Sequence, residues 1–338
     1  MKIKKLAYQA ETYVFILIIL FMFIVQFRSG VFFTGNNIVG ILRSMIVPLT
    51  YALCAYLALI STGPDVSFPM IAALSTFLSI EIITNIGFEG SILVVYGIAM
   101  GFGLLMGMFN GIIIAKFNFP SLIVTLATSA IFTGILFGTF EAMRRDLPGI
   151  MLEFGRTSLI HNSVLDLSNI QIRLPFAMIF VVILYIIAFF VLNKTMIGRG
   201  VFAVGGDEIS AERAGFNVPA IRFGVFAVNG VVAAIAGVSY SVMTPMFFPV
   251  EFAGEEMIVI AAVVLGGTSL RGGKGTLIGC ILGTMLLTMM SNSLILLGIP
   301  AYYQRLVIGT VIVIGTAISA LLSDPSLLSR KKKASTAV

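Results

Sequence analysis

The chain has 338 residues, of which 59% are hydrophobic and 11% charged, and its formal net charge is +6. A soluble domain carries about 25% charged residues because its surface must face water. A mean hydropathy of +1.08 therefore makes lipid the main solvent, and excludes a soluble enzyme, a nucleic-acid-binding domain and a disordered linker. Basic charge this sparse reports which loops stay in the cytoplasm.

Lys2, Lys4 and Lys5 flank the first apolar run, 13–27, which has no small-residue cleavage site after it and reads as a retained span. A hydrocarbon core about 30 Å thick needs roughly 20 apolar helical residues. On that measure ten segments are candidate spans: 13–27, 44–62, 66–84, 91–115, 120–140, 174–193, 222–243, 257–268, 276–298 and 304–323. The eighth is short and reads as a broken or re-entrant helix inside the bundle. The expected fold is an all-α, polytopic membrane protein with about ten transmembrane helices, eight being the alternative count. With both termini in the cytoplasm, the inner side collects most of the basic residues, including Lys116, Lys194, Arg199, Arg213, Arg222, Arg271, Lys274 and the tail Arg330 to Lys333. The organisation is then one transmembrane domain over 1–338, with an extracytoplasmic loop at 141–173, a cytoplasmic loop at 194–222 and a basic cytoplasmic tail at 324–338.

Small residues recur every fourth position at Gly103, Gly107 and Gly111, and again at Gly275, Gly279 and Gly283, a pattern that lets helices approach closely in lipid. Ala115 to Pro120 echoes Ala214 to Pro219, with Asn118 and Asn217 followed two residues later by Pro. Asn at the cap and Pro in the first turn suit two similar helix starts.

The run from Gly266 to Thr276 is glycine-rich but fails the register of a phosphate loop, since Lys274 is followed by Gly275 and not by Ser or Thr. Nucleotide binding by this chain is rejected, and the run reads as a tight turn between helices. Cys54 and Cys280 sit in apolar runs as small hydrophobes, and one histidine, His161, makes no metal cluster. Arg43, Asp65, Glu81, Glu255 and Glu256 fall mostly near span ends, within reach of water. No carboxylate or histidine relay crosses the middle, so an ion-coupled secondary transporter or channel is the weaker reading. Asn110, Asn229, Asn292 and Gln304 offer neutral hydrogen bonding, which suits either interhelical bonds or a polyhydroxylated solute.

Within 194–222, Asp207 is a plausible N-cap and Gly215 a left-handed stop, with room for about two helical turns between them. So short a helix is not stable alone in water. The residues leave two readings open, a solvated loop helix and a helix that docks in a partner's groove.

Specific runs now carry a resemblance: Phe109-Asn110-Gly111 through Ala115-Lys116-Phe117; Pro120 with Val124-Thr125-Leu126; Gly198-Arg199; Ala203-Val204-Gly205-Gly206 with Glu208, Ala211 and Gly215; and Ile260 to Ser269 with Gly272, Gly273 and Gly275. Together, over about residues 36–323, they resemble the membrane-spanning permease of ribose-type ABC importers. The resemblance implies a non-enzymatic subunit in the inner (plasma) membrane. It implies a cytoplasmic ATPase partner that carries ATP and Mg, an extracytoplasmic solute-binding protein and a second permease chain, identical or related. This chain itself would hold no cofactor. The resemblance also implies that 205–219 is the coupling helix, making Gly205, Gly206, Asp207, Glu208, Ala211, Glu212 and Gly215 ATPase-coupling residues. Asp65, Ser67, Asn110 and Asn229 are candidate path residues, with helix capping the favoured reading of Asp65. Here Gly63-Pro64-Asp65-Val66-Ser67-Phe68-Pro69 departs from the family's usual Gly-Ile-Asp-Leu-Ser-Val-Gly, so no solute identity is carried over.

Overall fold

The computed structural model describes residues 10–161 and 173–323. The basic N-terminal flank, the whole of the 324–338 tail and part of the 141–173 loop lie outside those residues. Each of the ten expected segments is helical. In chain order the helices are α1 (Ala10–Ser29), α2 (Gly35–Ser61), α3 (Phe68–Ile86), α4 (Ile92–Phe117), α5 (Ser121–Gly134, continued by a π turn Ile135–Thr139), α6 (Gly149–Arg156), α7 (Ala177–Lys194), α8 (Met196–Gly206), α9 (Glu208–Arg213), α10 (Val218–Met243), α11 (Glu255–Leu265), α12 (Leu277–Ser293) and α13 (Ala301–Ser323). Among the described residues, seven helices are long and apolar enough to cross a bilayer: α1, α2, α3, α4, α5 with its π turn, α7 and α10. Helix α11, at 11 residues, spans about 16 Å, half of a hydrocarbon core, as its brevity in the sequence suggested.

Two boundaries differ from expectation. Helix α2 starts nine residues before position 44 because Thr34 caps it, accepting from the Asn37 amide, so that Arg43 falls inside the helix. Its guanidinium donates to the Met243 carbonyl at 2.9 Å, where α10 ends. Helix α8 occupies what the sequence marks as polar insert. Thr195 caps it, and Gly198, Val201 and Val204 turn inward. The fold also departs from strictly all-α. The short strands β1 (Arg145–Asp146) and β4 (Met246–Phe247) pair antiparallel, as do β2 (Ser158–His161) and β3 (Arg173–Pro175). These ladders satisfy backbone groups of connecting segments that no helix serves.

The C-terminal half of α2 is the axis of the bundle, buried on all sides from Leu49 to Ser61. Helix α10 packs beside it and against α4 at backbone contact distance. A Cβ on Gly103 would strike the Gly230 carbonyl, and one on Gly107 the Phe226 carbonyl. The second glycine row works the same way, with Gly279 on Gly266 and Gly283 on Ala262 joining α12 to α11. Close packing is thus what both rows do.

Candidate functional site

Two constellations stand out, one at an end of the bundle and one in its interior. At the end, Asp207 breaks from α8 in an extended conformation and its carboxylate accepts the Ser210 amide at 2.6 Å, which starts α9. That bond holds the exposed Asp207 carboxyl below the usual carboxylate range. Gly215, at φ +87°, stops the helix in the left-handed region, and the Phe216 amide returns to the Ala211 carbonyl at 3.1 Å. Ala211 faces the bundle and packs with Val204 and Val218. Glu208, Ile209, Glu212 and Arg213 face outward, and Ile209 is 62% exposed. The segment is therefore a capped apolar and charged knob whose inner side is anchored.

Three contacts fix the knob to the bundle. Gly205 lies so close to the end of α2 that a Cβ there would overlap the Ile60 carbonyl. The turn of Gly272 and Gly273 rests on Gly205 and Gly206, and the Gly273 amide donates to that same Ile60 carbonyl at 3.1 Å. Arg222, in the first turns of α10, donates to Glu208 at 2.6 Å and to the Asn118 side chain at 2.8 Å. Asn118 ends α4 in the left-handed region, with φ +52°. Arg222 thereby joins α9 to the α4–α5 turn and to α10. It also joins the two Asn-x-Pro turns whose echo is visible in the sequence.

In the interior, the four candidate path residues meet in one network. The Asp65 carboxylate accepts the Ser67 amide at 2.8 Å and the Ser67 hydroxyl at 2.7 Å through one oxygen, and the Asn229 side-chain amide at 3.2 Å through the other. Asn110 donates to Ser67 Oγ at 2.8 Å, Asn229 donates to the Cys54 carbonyl at 3.1 Å, and the Val66 amide donates to Thr125 at 3.2 Å. The 62–67 linker is so tied to α2, α4, α5 and α10. Asp65, Ser67 and Asn110 are fully buried and Asn229 nearly so. The expectation that Asp65 reaches water is corrected by this burial. The N-cap of α3 is Ser67, so Asp65, two residues before that cap, forms an Asx turn and does not itself cap the helix. Two acceptors in the network, Asn110 Oδ1 and Asn229 Oδ1, have no hydrogen-bond partner.

Of the residues marked in the sequence, Asp207, Glu208, Ala211, Glu212 and Gly215 form one knob, Gly205 and Gly206 form its seat, and Asp65, Ser67, Asn110 and Asn229 form the network. The sequence gives no role to Arg222 beyond inner-side charge, nor to the Gly272-Gly273 turn beyond a loop. The 104 residues between Asn118 and Arg222 hide the first contact.

A family model described as "branched-chain amino acid transport system / permease component" matches residues 37–316. The ribose import permease protein of Haemophilus influenzae is 30% identical over 94% of this chain and 94% of its own length. The fructose import permease protein of Rhizobium meliloti is 30% identical over 89% of this chain and 83% of its own. The autoinducer 2 import system permease protein of Yersinia enterocolitica is 30% identical over 83% of this chain and 74% of its own. No solved structure matches the chain.

Proposed function

The chain belongs to the ribose-type permease family of ABC importers and is a multi-pass inner-membrane protein, and on that premise we propose that it carries a simple sugar or related polyhydroxylated solute across the membrane. It works as one of a pair of permease chains, with separate ATPase subunits and a separate binding protein. The solute class rests on the curated relatives, which are named for import of ribose, fructose and autoinducer 2. The family description names branched-chain amino acids, a different solute class, and the reading here follows the individual relatives.

The observation that carries the mechanism is the anchored knob. Helix α9 has six residues, too few to persist alone in water. It is held by a cap, a glycine stop and Arg222, while Ile209 and its charged neighbours are left bare. That is the form of a helix made to sit in a partner's groove. With both termini and this knob on the cytoplasmic side, ATP-driven movement of the partner pulls on α9. Arg222 passes the displacement to α10 and the α4–α5 turn. Those helices carry Asn110, Thr125 and Asn229, so the same displacement shears the network around Asp65. A closed network bars the path and a sheared one opens it. Beside the Asp65 carboxylate, that point is lined by the amides of Asn110 and Asn229 and the hydroxyls of Ser67 and Thr125, which suits passage without tight capture.

The test is cross-linking in the assembled transporter. Ile209→Cys, carrying a photoactivatable label, should capture the ATPase subunit, and the capture should change between nucleotide-free and ATP-bound states. The two native cysteines, Cys54 and Cys280, are buried and leave a low background. Capture of lipid alone, with a functional transporter, would remove α9 from the coupling interface.

A further inference from the structure

At the end of the bundle away from α9, the N-terminal half of α2 borders a cleft of about 600 Å³ that also takes in the end of α10, the turn before α11, and α13. Its polar lining is Ser44, Tyr51, Tyr240, Glu251, Glu255 and Arg305. This size falls within the range of about 300–1,000 Å³ usual for small-molecule sites. Tyr51 forms the deep wall. It is 2% exposed, yet its hydroxyl has no hydrogen-bond partner. A buried hydroxyl is ordinarily paired, so an orphan beneath a largely apolar cleft that carries a few polar groups points to a ligand group that completes it.

The cleft is not isolated from the interior network. Ser44, Val47, Tyr51 and Cys54 recur at helical spacing of three and four, on one face of α2. The Tyr51 ring packs on Phe68 with centroids 5.1 Å apart, and Phe68 directly follows Ser67 of the network. One turn past Tyr51, the Cys54 carbonyl accepts from Asn229. A pair of buried rings therefore separates the cleft from the Asp65 network.

We propose that this cleft is the subsite in which the permease receives solute from the outer side, that its ligand is a neutral polyhydroxylated molecule, and that the Tyr51–Phe68 pair is the barrier beneath it. The inference rests on the sugar-permease reading and adds residues to it. Glu251 and Glu255 accept from vicinal hydroxyls. Arg305 donates to a ring or hydroxyl oxygen, the Tyr51 hydroxyl meets the leading hydroxyl, and the tyrosine rings face the apolar side of the sugar. Two carboxylates against one guanidinium disfavour anionic solutes such as sugar phosphates.

The experiment uses the full chain with its ATPase and binding protein in right-side-out vesicles loaded with ATP. Ser44→Cys and Ala253→Cys, both at the rim of the cleft, are labelled separately with a membrane-impermeant maleimide, with and without millimolar D-ribose or D-fructose. Both variants should label, and at least one sugar should slow labelling by about threefold or more, while ribose 5-phosphate should not. Tyr51→Phe, which removes only the hydroxyl, should abolish the protection without changing the sugar-free labelling rate. Three outcomes overturn the proposal: labelling only by a membrane-permeant reagent, which would mark a lipid-filled groove; labelling that neither sugar slows; and protection that persists in Tyr51→Phe. ATP-driven uptake of a panel of neutral sugars, these two included, by the unmodified transporter is measured alongside. Uptake without protection refutes the subsite alone, whereas no ATP-dependent uptake of any sugar in the panel refutes the solute reading beneath it.

Discussion

Arg222 is the joint on which the coupling account turns, and removing it has a calculable effect. Its guanidinium makes two hydrogen bonds, at 2.6 Å to Glu208 and 2.8 Å to Asn118, and its side chain is 13% exposed against 44% for Glu208. Fully exposed ion pairs contribute about 0.2–1 kcal/mol, and hydrogen bonds to charged groups about 1.5–3 kcal/mol. A pair with one partner half in water falls between, at about 1 kcal/mol, or about a fivefold shift in the docked population of α9. In proteoliposomes containing the assembled transporter, Arg222→Ala should raise the ATP hydrolysed per solute moved by about fivefold. Glu208→Gln should raise it by less, because a neutral amide still accepts a hydrogen bond. Combining Glu208→Ala with Arg222→Ala should be little worse than Arg222→Ala alone, since the pair acts as a unit. Arg222→Lys should recover only part of the loss, because an ammonium cannot span both acceptors as the planar fork does. Strictly additive effects of the two alanine variants, or an unchanged ratio in Arg222→Ala, would refute the joint.

Further outcomes follow from the same geometry. Asp65→Asn leaves one acceptor oxygen where three hydrogen bonds are now received, so a buried donor of Ser67 or Asn229 is stranded. The expected loss is about 1–3 kcal/mol, read as a lower melting temperature in detergent. Gly107→Leu drives a side chain into the Phe226 carbonyl and should cost about 3 kcal/mol or block accumulation in the membrane. Gly101→Leu, on the same helix where nothing lies within 4 Å, should be tolerated. The Asp207 carboxyl is held low by the Ser210 amide. Its contribution to α9 is therefore complete above the ordinary aspartate range and lost only as pH falls through the lowered value of the folded chain. Coupling should then be insensitive to Asp207 titration at neutral pH, and Asp207→Ala should lower coupling at every pH where the transporter is intact.

The parts of this molecule that are local were readable in advance. Apolar runs located the helices because lipid demands them, and the Asp207 cap and Gly215 stop are chemistry within a few residues of each other. The start of α2 was not readable, since Gly35-Asn36-Asn37 looks like loop until Thr34 is seen to cap it. Helix α8 was hidden for a related reason: four of its eleven residues are glycine. Long-range partners lay beyond any spacing rule. Asp65 and Asn229 are separated by 164 positions, and nothing in either neighbourhood names the other. The glycine rows announced close packing but not which carbonyl each would meet. Asp65 was placed near water because it stands between two spans, whereas the linker folds inward and carries it into the interior.

The central claim is that this bundle has no energy source of its own and is driven through α9. The most direct measurement is solute accumulation in proteoliposomes holding the permease with its binding protein, with and without the ATPase subunit. The account predicts uphill accumulation only when the ATPase and ATP are both present, and its loss when α9 is locked by a cross-link at Ile209→Cys. Uphill accumulation by vesicles that lack the ATPase, driven by an ion gradient, would contradict it.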